Sequence, residues 1–287
     1  MSRLISIVTV YFPNKHHLEN IIEFAKQSDL IIICDNSSAN NEVMFSSVSN
    51  AIYLYNNANY GLSKAFNIAL GMEKLNWKSN DKVIFFDQDS SIVANHIGKL
   101  QEVYDDLKNR NINIACLGPV FFNNSSNSIE IPKMHKNIDE NNMIVDSLIT
   151  SSMLTEYSCL KKIGFWNENL FLDSADWDLS WRMRENGYLC IMTKATVLNH
   201  TVGEGEKNFG LFKLRIGSPI REYYQTRDCF YSLKQSYTPF KFKIRFLLRL
   251  TVRPILHILF LNEKKKRFAY ILRGVSDYML GKTGAIN

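Results

Sequence analysis

The stretch Lys82-Val83-Ile84-Phe85-Phe86-Asp87-Gln88-Asp89-Ser90 decides the fold, because an apolar strand runs directly into two carboxylates. A buried strand that ends in Asp-x-Asp brings hard oxygen ligands to the edge of a sheet, where Mg²⁺ or Mn²⁺ can be held with open positions for a phosphate. The alternative is an ordinary turn, since Asp and Ser are common where strands stop. The rest of the sequence decides between chemistry on a nucleotide diphosphate and a simple turn.

Strand-like and helix-like segments alternate on both sides of this stretch. The predicted strands are 4–10, 30–34, 52–55, 82–86 and 112–117, and the predicted helices are 17–26, 62–74 and 97–108. Residues 123–142, rich in Asn and Ser, are predicted to form a loop or hairpin excursion. The alternation predicts βαβ units, and therefore an α/β fold with a mostly parallel sheet and helices on both faces.

The carboxyl ends of the predicted strands are the expected ligand-binding edge of such a sheet. Asp35 and Asn36 follow one strand, and Asp87 follows another. The segment from Asn59 to Asn67 leads from a strand end into a helix, where Gly61 allows a tight turn and the helix N-terminus suits an anion or a polar base edge. An ordinary loop with a helix cap is the alternative for this segment.

The composition limits the class of protein. A chain of 287 residues with 46% hydrophobic residues can form one large α/β domain, with or without an appendage. The five cysteines are odd in number, far apart and without a C-x-x-C pair, which predicts buried, reduced thiols. The first residues lack the apolar segment and cleavage site of a signal peptide, which predicts a cytoplasmic location.

The positive charge is concentrated near the C-terminus. Residues 241–273 carry a net charge of +9, which leaves −3 for the rest of a chain whose formal charge is +6. A nucleic-acid-binding protein or a nuclease needs a basic surface on its main body, so this distribution argues against both. It favours a mildly acidic enzyme with a basic tail that attracts anionic lipid.

A second acidic cluster occupies residues 171–182. A helix that begins near Ser174 places Asp176 at its mouth, facing a crevice, where it can act as a general base on a hydroxyl. Asp178 in the same first turn is interpreted as structural, because the positive end of the helix dipole favours a carboxylate there. Asp173, just before the helix, is a candidate for a second polar contact.

Two further motifs carry candidate ligands. His200 ends a short apolar run and precedes Thr201-Val202-Gly203, so its imidazole could complete a carboxylate metal site, although a lone histidine is more often structural. Arg221 and Arg227 flank Tyr223-Tyr224, an arrangement that suits a diphosphate or a sugar. A salt-bridged surface helix is equally compatible with the arginines.

Taken in order, these motifs resemble the inverting family 2 glycosyltransferases of GT-A fold, in particular the bacterial rhamnosyltransferases that use dTDP-rhamnose for O-antigen or capsule. The resemblance covers about residues 3–230 and extends to residues 273–284. It implies a Rossmann-like GT-A domain over 1–235, followed by a helical, basic tail over 236–287. One departure is Ser152, where relatives usually have glycine, and it affects the expected shape of the acceptor pocket.

The resemblance also implies a role for each matched residue. Asp176 is expected to be the catalytic base, and Asp87, Asp89 and His200 are expected to hold Mg²⁺ or Mn²⁺. The expected contacts with the nucleotide sugar are Asp35, Asn36, Asn59, Gly61, Asn67, Asp87, Gln88, Asp173, Arg221 and Arg227.

The tail has the pattern of a basic amphipathic helix. Lys241, Arg245, Arg249 and Arg253 recur every four residues, and the run 264–267 adds four more cations. No segment there is long and apolar enough to cross a bilayer, so a helix lying on an anionic membrane surface is predicted. The alternative is a helical subdomain that packs on the catalytic domain and leaves its basic face in solvent.

The sequence therefore predicts a metal-dependent inverting glycosyltransferase, peripheral on the inner face of the cell membrane. It is expected to move L-rhamnose from dTDP-rhamnose to a lipid-linked oligosaccharide. The alternatives are the same fold with UDP-galactofuranose or a UDP-hexose, and a nucleotide-sugar-binding protein without turnover. No nucleic-acid partner is expected.

Overall fold

The computed structural model describes residues 2–123, 128–132, 134–200, 206–208, 213–215 and 217–286. The side chains of Asn123, His200, 206–208 and 213–215 lie outside this description. The predicted Thr201-Val202-Gly203 motif lies outside the described residues, and so does the side chain of the predicted metal ligand His200.

A large mixed sheet forms the centre of the protein. Its order is β3-β2-β1-β4-β9-β5-β10-β8-β7, with β6 paired to β5, and β11 and β12 form a separate hairpin. Strands β3, β2, β1 and β4 are parallel, and the short β9 is antiparallel to both β4 and β5. The strands are β1 (Leu4–Val10), β2 (Leu30–Asp35), β3 (Ala51–Tyr55), β4 (Lys82–Asp87), β5 (Ile114–Asn123), β6 (Ser128–Glu130), β7 (Lys136–Asn137), β8 (Asn142–Val145), β9 (Met153–Glu156), β10 (Leu189–His200), β11 (Glu206–Asn208) and β12 (Lys213–Arg215).

Helices cover both faces of the sheet, as the alternating sequence predicted. The helices are α1 (Lys15–Lys26), α2 (Glu42–Phe45), α3 (Gly61–Leu70), α4 (His96–Asn109), α5 (Tyr157–Ile163), α6 (Ala175–Glu185), α7 (Ile220–Lys234), α8 (Phe240–Phe260) and α9 (Lys264–Met279). α3, α5 and α6 pack on one face, and α1, α2 and α4 on the other. Strand β4 supplies both cores by alternation, with Val83 and Phe85 on the first side and Ile84 and Phe86 on the second. The predicted α/β architecture is confirmed.

Several predicted boundaries shift in the structure. The helix predicted over 62–74 ends at Leu70, followed by a 3₁₀ turn over Glu73–Leu75, because the chain leaves the helix at Gly71. The strand predicted over 112–117 runs from Ile114 to Asn123 and pairs with β6, so the predicted excursion begins as a hairpin. All five cysteines are buried and free.

Helix α8 packs on α6, as the alternative for the tail expected, and Lys241 and Arg245 of its basic stripe are exposed but also contact the preceding part of the chain. Lys241 pairs with Asp146, and the guanidinium groups of Arg245 and Arg249 lie over the ring of Trp177. The rotation of α8 is fixed because Phe242 and Phe246 of the same helix pack on Trp177 and Trp181.

The outer face of α8 is apolar. Spacing of three to four residues places its exposed side chains on one stripe, since that is the period of an α-helix. These are Phe240, Ile244, Leu247, Leu248, Val252, Ile255 and Leu259, each at least 46% exposed. In the described part of the chain, no helix has the length and apolarity needed to cross a bilayer.

Arg267, which was predicted to attract anionic lipid, does not lie on the surface. Arg267 is buried, and its guanidinium donates to Glu222 at 2.9 Å and to the carbonyls of Gly217 and Asn262. Glu222 also pairs with His257 of α8 at 2.5 Å, so it joins α7 to both later helices. The exposed cations at the start of α9 are therefore Lys264, Lys265 and Lys266.

Candidate active site

The two predicted carboxylate strands end at the same edge of the sheet. β1 lies between them, and its register pairs Val10 with Asp35 and Thr9 with Asp87. Asp35 and Asp87 thus lie about two strand spacings apart, or roughly 10 Å, at the carboxyl ends of parallel strands. The predicted meeting of these motifs at one edge is confirmed.

Asp35 and Asn36 form the inner wall of this edge. Asp35 is fully buried and accepts hydrogen bonds from the backbone of Ser37, the amide of Asn41 and the hydroxyl of Tyr53. The Asn36 amide donates to the carbonyl of Gly61 at 3.0 Å and accepts from Asn56. Both side chains organise the loops after β2 and β3, so any contact of Asp35 with a nucleoside requires an exchange of these partners.

Gly61 brings the start of α3 against the second acidic cluster. Its φ is 72°, and a Cβ there would lie 2.3 Å from the carbonyl oxygen of Phe171, so only glycine fits. The backbone N–H of Leu62 donates to the same carbonyl at 2.8 Å, and the Asn59 side chain accepts from the N–H of Gly61 at 3.0 Å. The motif around Gly61 and the motif around Asp173 therefore meet in one place.

The Asp87-Gln88-Asp89 loop is fixed from two sides. Gln88 exchanges side-chain hydrogen bonds with the backbone of Tyr11, at 2.8 and 3.2 Å. Ser91 and Asn199 form a backbone bridge at 3.2 and 3.3 Å, which brings the end of β10 beside the loop. Because His200 follows Asn199, its backbone lies beside the segment that follows Asp87 and Asp89.

Three carboxylates from two motifs act on one another electrostatically. Burial, followed by the negative charges of Asp89 and Asp176, raises the pKa of Asp87 to about 7. Burial also raises the pKa of Asp176 to about 7, although the Trp177 backbone N–H and the positive charge of Arg249 act to lower it. A carboxylate with a pKa near neutral pH is well suited to general-base chemistry.

Several buried polar atoms of α3 and of the acidic segment before α6 lack a partner among the described residues. One oxygen of Asp173 accepts from Arg221 at 3.0 Å, whereas the other is buried and has no hydrogen-bond partner among the described residues. The buried hydroxyls of Ser63 and Ser174 also lack a partner within the described chain. Ser174 precedes α6 but does not cap it, since its φ is 69° and its hydroxyl makes no cap hydrogen bond. Such unsatisfied groups are costly unless a ligand completes them.

Asp178 is structural, as the sequence indicated, but through a buried network. It pairs with Arg182 at 2.7 Å and accepts from the hydroxyl of Tyr237 at 2.6 Å and the amide of Asn167 at 3.2 Å. Asp176, two residues earlier, uses one oxygen to accept from the N–H of Trp177 at 2.8 Å. The neighbouring carboxylates therefore occupy different environments.

Arg227 and Asn67 are engaged inside the fold. Arg227 is completely buried, pairs with Asp228 at 3.0 Å and donates to the carbonyl of Gly284 at 2.6 Å, so in this conformation its guanidinium does not reach a diphosphate. The Asn67 amide donates to the carbonyl of Trp166 at 3.0 Å and thereby fastens α3 to the loop after α5. The structure supports a positioning role for both, which differs from the predicted direct contact.

Tyr11 and Phe12 are candidate site residues that the sequence interpretation missed. They follow β1 at the ligand-binding edge and are 49% and 54% exposed, with ring centroids 4.6 Å apart. Exposed aromatic rings beside polar groups suit a planar nucleobase. Their position directly after an apolar strand could have identified them from the sequence, as it identified Asp35 and Asp87.

The carboxylates fit part of a divalent cation site. Asp87 and Asp89 provide hard oxygen ligands, and the mutual repulsion that raises the pKa of Asp87 is relieved when a cation is present. Within the described residues, no group of three or more His, Cys, Asp or Glu side chains is arranged to hold a metal ion. The third predicted ligand, the His200 side chain, lies outside that description.

Comparison with known proteins agrees with this geometry. No family model matches the chain. It is 28% identical over 256 residues to dTDP-rhamnosyl transferase RfbF of Shigella flexneri, an alignment that spans 85% of this chain and 84% of that protein.

Solved structures share the fold at low sequence identity. S. aureus TarS (residues 1–349) has a TM-score of 0.57 and 15% identity, covering 96% of this chain and 80% of that chain. GalNAc-T7, solved with UDP, GalNAc and Mn²⁺, has a TM-score of 0.56 and 13% identity. The alignment covers 89% of this chain and 57% of GalNAc-T7. The predicted GT-A fold with a helical C-terminal region is confirmed, and so is the resemblance to dTDP-rhamnose-dependent rhamnosyltransferases.

Proposed function

We propose that this protein is an inverting rhamnosyltransferase, which transfers L-rhamnose from dTDP-rhamnose to a lipid-linked glycan of O-antigen or capsule. The observation that carries the proposal is that the acidic segment before α6 is joined to the α3 turn at the ligand-binding edge by the hydrogen bond from Leu62 to Phe171, with the charge of Asp176 acting on Asp87 of a separate motif. The similarity to a dTDP-rhamnosyl transferase over most of both chains supports the donor.

Asp176 is the base of the proposed reaction. It takes the proton of the acceptor hydroxyl while that oxygen forms a bond to the anomeric carbon of rhamnose. The bond between the anomeric carbon and the phosphate oxygen breaks at the same time, and its electron pair leaves with dTDP. One displacement inverts the anomeric centre without an enzyme nucleophile. The raised pKa of Asp176 keeps it basic enough to accept the proton near neutral pH.

The donor is proposed to lie along the edge from β2 to α6. Tyr11 and Phe12 offer ring surface to the nucleobase, and the unsatisfied oxygen of Asp173 is available to a sugar hydroxyl. Arg221, which pairs with Asp173 at 3.0 Å, is proposed to approach the diphosphate. Asn36, Asn59 and Gly61 hold the α3 turn in the shape that this site needs.

The proposed metal is Mg²⁺ or Mn²⁺, held by Asp87, Asp89 and His200. When bound, such a cation neutralises the charge that develops on the leaving diphosphate. The donor set supports this proposal, because oxygen ligands with one imidazole suit both ions. GalNAc-T7, which shares the fold, was solved with Mn²⁺.

The C-terminal region, residues 236–287, is proposed to hold the enzyme on the cytoplasmic face of the membrane. Its lipid-facing surface is the apolar stripe of α8, with Lys264, Lys265 and Lys266 attracting anionic headgroups. A contiguous exposed apolar face of this size is uncommon on a protein surface without a partner. This assignment replaces the basic stripe, which contacts the catalytic domain.

A donor panel tests the function. The protein is incubated with Mg²⁺ or Mn²⁺, membrane glycolipids and, in turn, dTDP-rhamnose, UDP-galactofuranose, UDP-glucose and UDP-galactose. We expect radiolabel to enter the glycolipid from dTDP-rhamnose only, and to do so with the anomeric configuration inverted. Transfer from a UDP-sugar alone would change the donor assignment. Binding of dTDP-rhamnose without transfer to any glycolipid would instead indicate a non-catalytic binding protein.

A further inference from the structure

The Asp87-Gln88-Asp89-Ser90 segment forms a β-turn at the end of β4. The N–H of Ser90 donates to the carbonyl of Asp87 at 3.3 Å, which closes the four-residue turn. Gln88 and Asp89 are its central residues, and neither has the positive φ that a type II turn requires at its third residue. The peptide unit between them carries the carbonyl of Gln88 and the N–H of Asp89. The direction of that carbonyl therefore sets the position of the Asp89 backbone.

The central peptide of such a turn has a second accessible orientation. Types I and II differ by reversal of this peptide, and in the reversed form the third residue takes a positive φ. Asp adopts positive φ more readily than most residues, so Asp89 by itself does not prevent the reversal. Reversal would move the Asp89 carboxylate relative to that of Asp87. Two carboxylates can bind one cation together only in a suitable relative position.

A buried side chain of α1 holds the central peptide in its present orientation. The amide of Asn20 donates to the carbonyl of Gln88 at 3.0 Å. Phe24, one helical turn later, stacks on Phe86 with ring centroids 4.0 Å apart. Because Phe86 immediately precedes Asp87, this stacking fixes α1 to the end of β4 and so fixes the Asn20 amide. A reversed peptide would leave that buried amide without its partner, which is unfavourable.

A second buried side chain holds both ends of the turn. The hydroxyl of Ser151 donates to the hydroxyl of Ser90 at 2.6 Å and accepts from the backbone N–H of Asp87 at 3.5 Å. The N–H of the next residue, Ser152, donates to the carbonyl of Phe85 at 2.7 Å, which fixes this segment against β4. The turn is therefore held at its ends as well as at its centre.

We propose that Asn20 and Ser151 are positioning residues for the metal site, which keep the Asp87 and Asp89 carboxylates in the relative position that binds a divalent cation. The proposal rests on the glycosyltransferase function and the metal site proposed above, and it adds two residues that act through the turn. Loss of such outer partners usually lowers metal affinity by about 10- to 100-fold. The carboxylates remain in place, so the site should still fill at high metal concentration.

Mn²⁺ titration without nucleotide, followed by electron paramagnetic resonance, tests the contact at the centre of the turn. Asn20→Ala removes the amide, and we expect the Mn²⁺ dissociation constant to rise about 10- to 100-fold. In sugar transfer the variant should need correspondingly more Mn²⁺ for its half-maximal rate, and kcat should approach that of the unmodified protein at saturating Mn²⁺. A fall in kcat that excess Mn²⁺ does not restore, with unchanged Mn²⁺ affinity, would overturn the positioning role.

Asn50→Ala is the matched control, because Asn50 makes the same kind of contact at the other end of α1. Its amide donates to the carbonyls of Ala25 and Ser28 at 3.0 and 2.9 Å, near the start of β3 and away from the turn. Both asparagine variants should have a lower melting temperature than the unmodified protein, but only Asn20→Ala should lose Mn²⁺ affinity. Equal Mn²⁺ affinities in the two variants would mean that Asn20 contributes to stability alone.

Ser151→Ala tests the contact at the ends of the turn in the same titration. It should also raise the Mn²⁺ dissociation constant. Its control is Ser232→Ala, which removes another buried hydroxyl, one that donates to the carbonyl of Asp228 at 2.9 Å within α7. Ser232→Ala should bind Mn²⁺ as the unmodified protein does. Equal affinities in the two serine variants would overturn the role of Ser151.

Three outcomes separate this inference from the proposed function. If Asn20→Ala weakens Mn²⁺ binding as expected but no nucleotide sugar supports transfer, the positioning role stands and the proposed function fails. If dTDP-rhamnose supports transfer and Asn20→Ala binds Mn²⁺ as tightly as the unmodified protein, the function stands and the positioning role is wrong. If the unmodified protein binds no Mn²⁺, the metal site and its positioning residues are both wrong.

Discussion

Ser152 and His96 are hydrogen-bonded in the protein interior, with Oγ of Ser152 2.7 Å from Nε2 of His96. The other ring nitrogen lies 2.9 Å from the hydroxyl of Thr196 in β10. Burial lowers the pKa of His96 to about 4, with a smaller effect of Lys99, so the ring is neutral and can donate from one nitrogen and accept at the other. Ser152 has φ 66°, in the left-handed region, where the resemblance to relatives implied glycine.

Substitutions of Ser152 separate the effect of its hydrogen bond to His96 from the effect of its left-handed backbone. Ser152→Ala keeps the left-handed backbone and leaves a buried imidazole nitrogen without its partner, which should lower the free energy of unfolding by about 1–3 kcal/mol. Ser152→Gly loses the same hydrogen bond but relieves the backbone cost, so it should be about 1 kcal/mol more stable than the alanine variant. Urea unfolding of the three proteins measures the order. A glycine variant no more stable than the alanine variant would show that the backbone is not strained.

Asp176 and Asp178 should respond differently to the same substitution. Asp176→Asn should keep the fold and the donor affinity while kcat falls by roughly 10²–10⁴-fold, the usual contribution of a general base. Asp178→Asn should lower thermal stability, because Asp178 accepts from Arg182, Tyr237 and Asn167 in a buried network, and should cost far less kcat. The measurements are kcat at a temperature where both variants are folded and a melting curve for each. If Asp178→Asn is inactive and Asp176→Asn is active, the assignment of Asp176 as the base is wrong.

Removal of the metal should abolish transfer. We expect no turnover in EDTA and full recovery on addition of Mg²⁺ or Mn²⁺. Asp89→Ala should weaken Mn²⁺ binding and dTDP-rhamnose binding together, because the diphosphate is held through the cation. Mn²⁺ titration followed by electron paramagnetic resonance provides a readout that is independent of activity. Full turnover in the presence of EDTA would show that the enzyme does not depend on a metal.

Membrane binding should depend on the apolar stripe of α8. Replacing both Leu247 and Leu248 by Gln should reduce partition into phosphatidylglycerol vesicles at least about 10-fold, since a fully buried Leu contributes about 1.5–3 kcal/mol. Val43→Gln is the control, because Val43 is 87% exposed on α2, outside the C-terminal region. Vesicle sedimentation at low and high salt measures both contributions, as salt screens the lysines but not the leucines. Equal partition of all variants would argue against this surface.

Acid should remove the stabilising effect of the Arg3–Asp81 pair. Burial disfavours ionisation of Asp81, but the Arg3 side chain and the backbone N–H groups of Lys78 and Arg3 outweigh it, so its pKa is lowered in the folded protein. A lowered carboxyl pKa stabilises the fold above the unfolded value of about 3.9, and this contribution is lost as the pH falls through the folded pKa.

The measurement for this pair is the free energy of unfolding of the protein and of Asp81→Asn as a function of pH. The variant should be less stable at pH 7, and the difference should shrink as the pH drops below about 4. A difference that stays constant down to pH 3 would mean that ionisation of Asp81 does not stabilise the fold.

The sequence by itself determined the α/β architecture and the edge at which the candidate site lies. Strand and helix periods alternate clearly, and a parallel sheet places the residues after its strands at one edge, so Asp35 and Asp87 could be predicted to meet. The structural role of Asp178 could also be predicted from the sequence, because a carboxylate in the first turn of a helix is stabilised by the helix dipole.

Only the tertiary structure decided which side chains of one element face which partner. The period of α8 identified a basic stripe and an apolar stripe, but the packing of Phe242 and Phe246 on α6 turned the basic stripe toward Trp177 and left the apolar one exposed. Arg227 became internal for the same kind of reason, since α9 and the following residues close over it. Rotation of a helix and burial by a distant segment depend on non-local contacts, and neither leaves a signal in the spacing of residues along the chain.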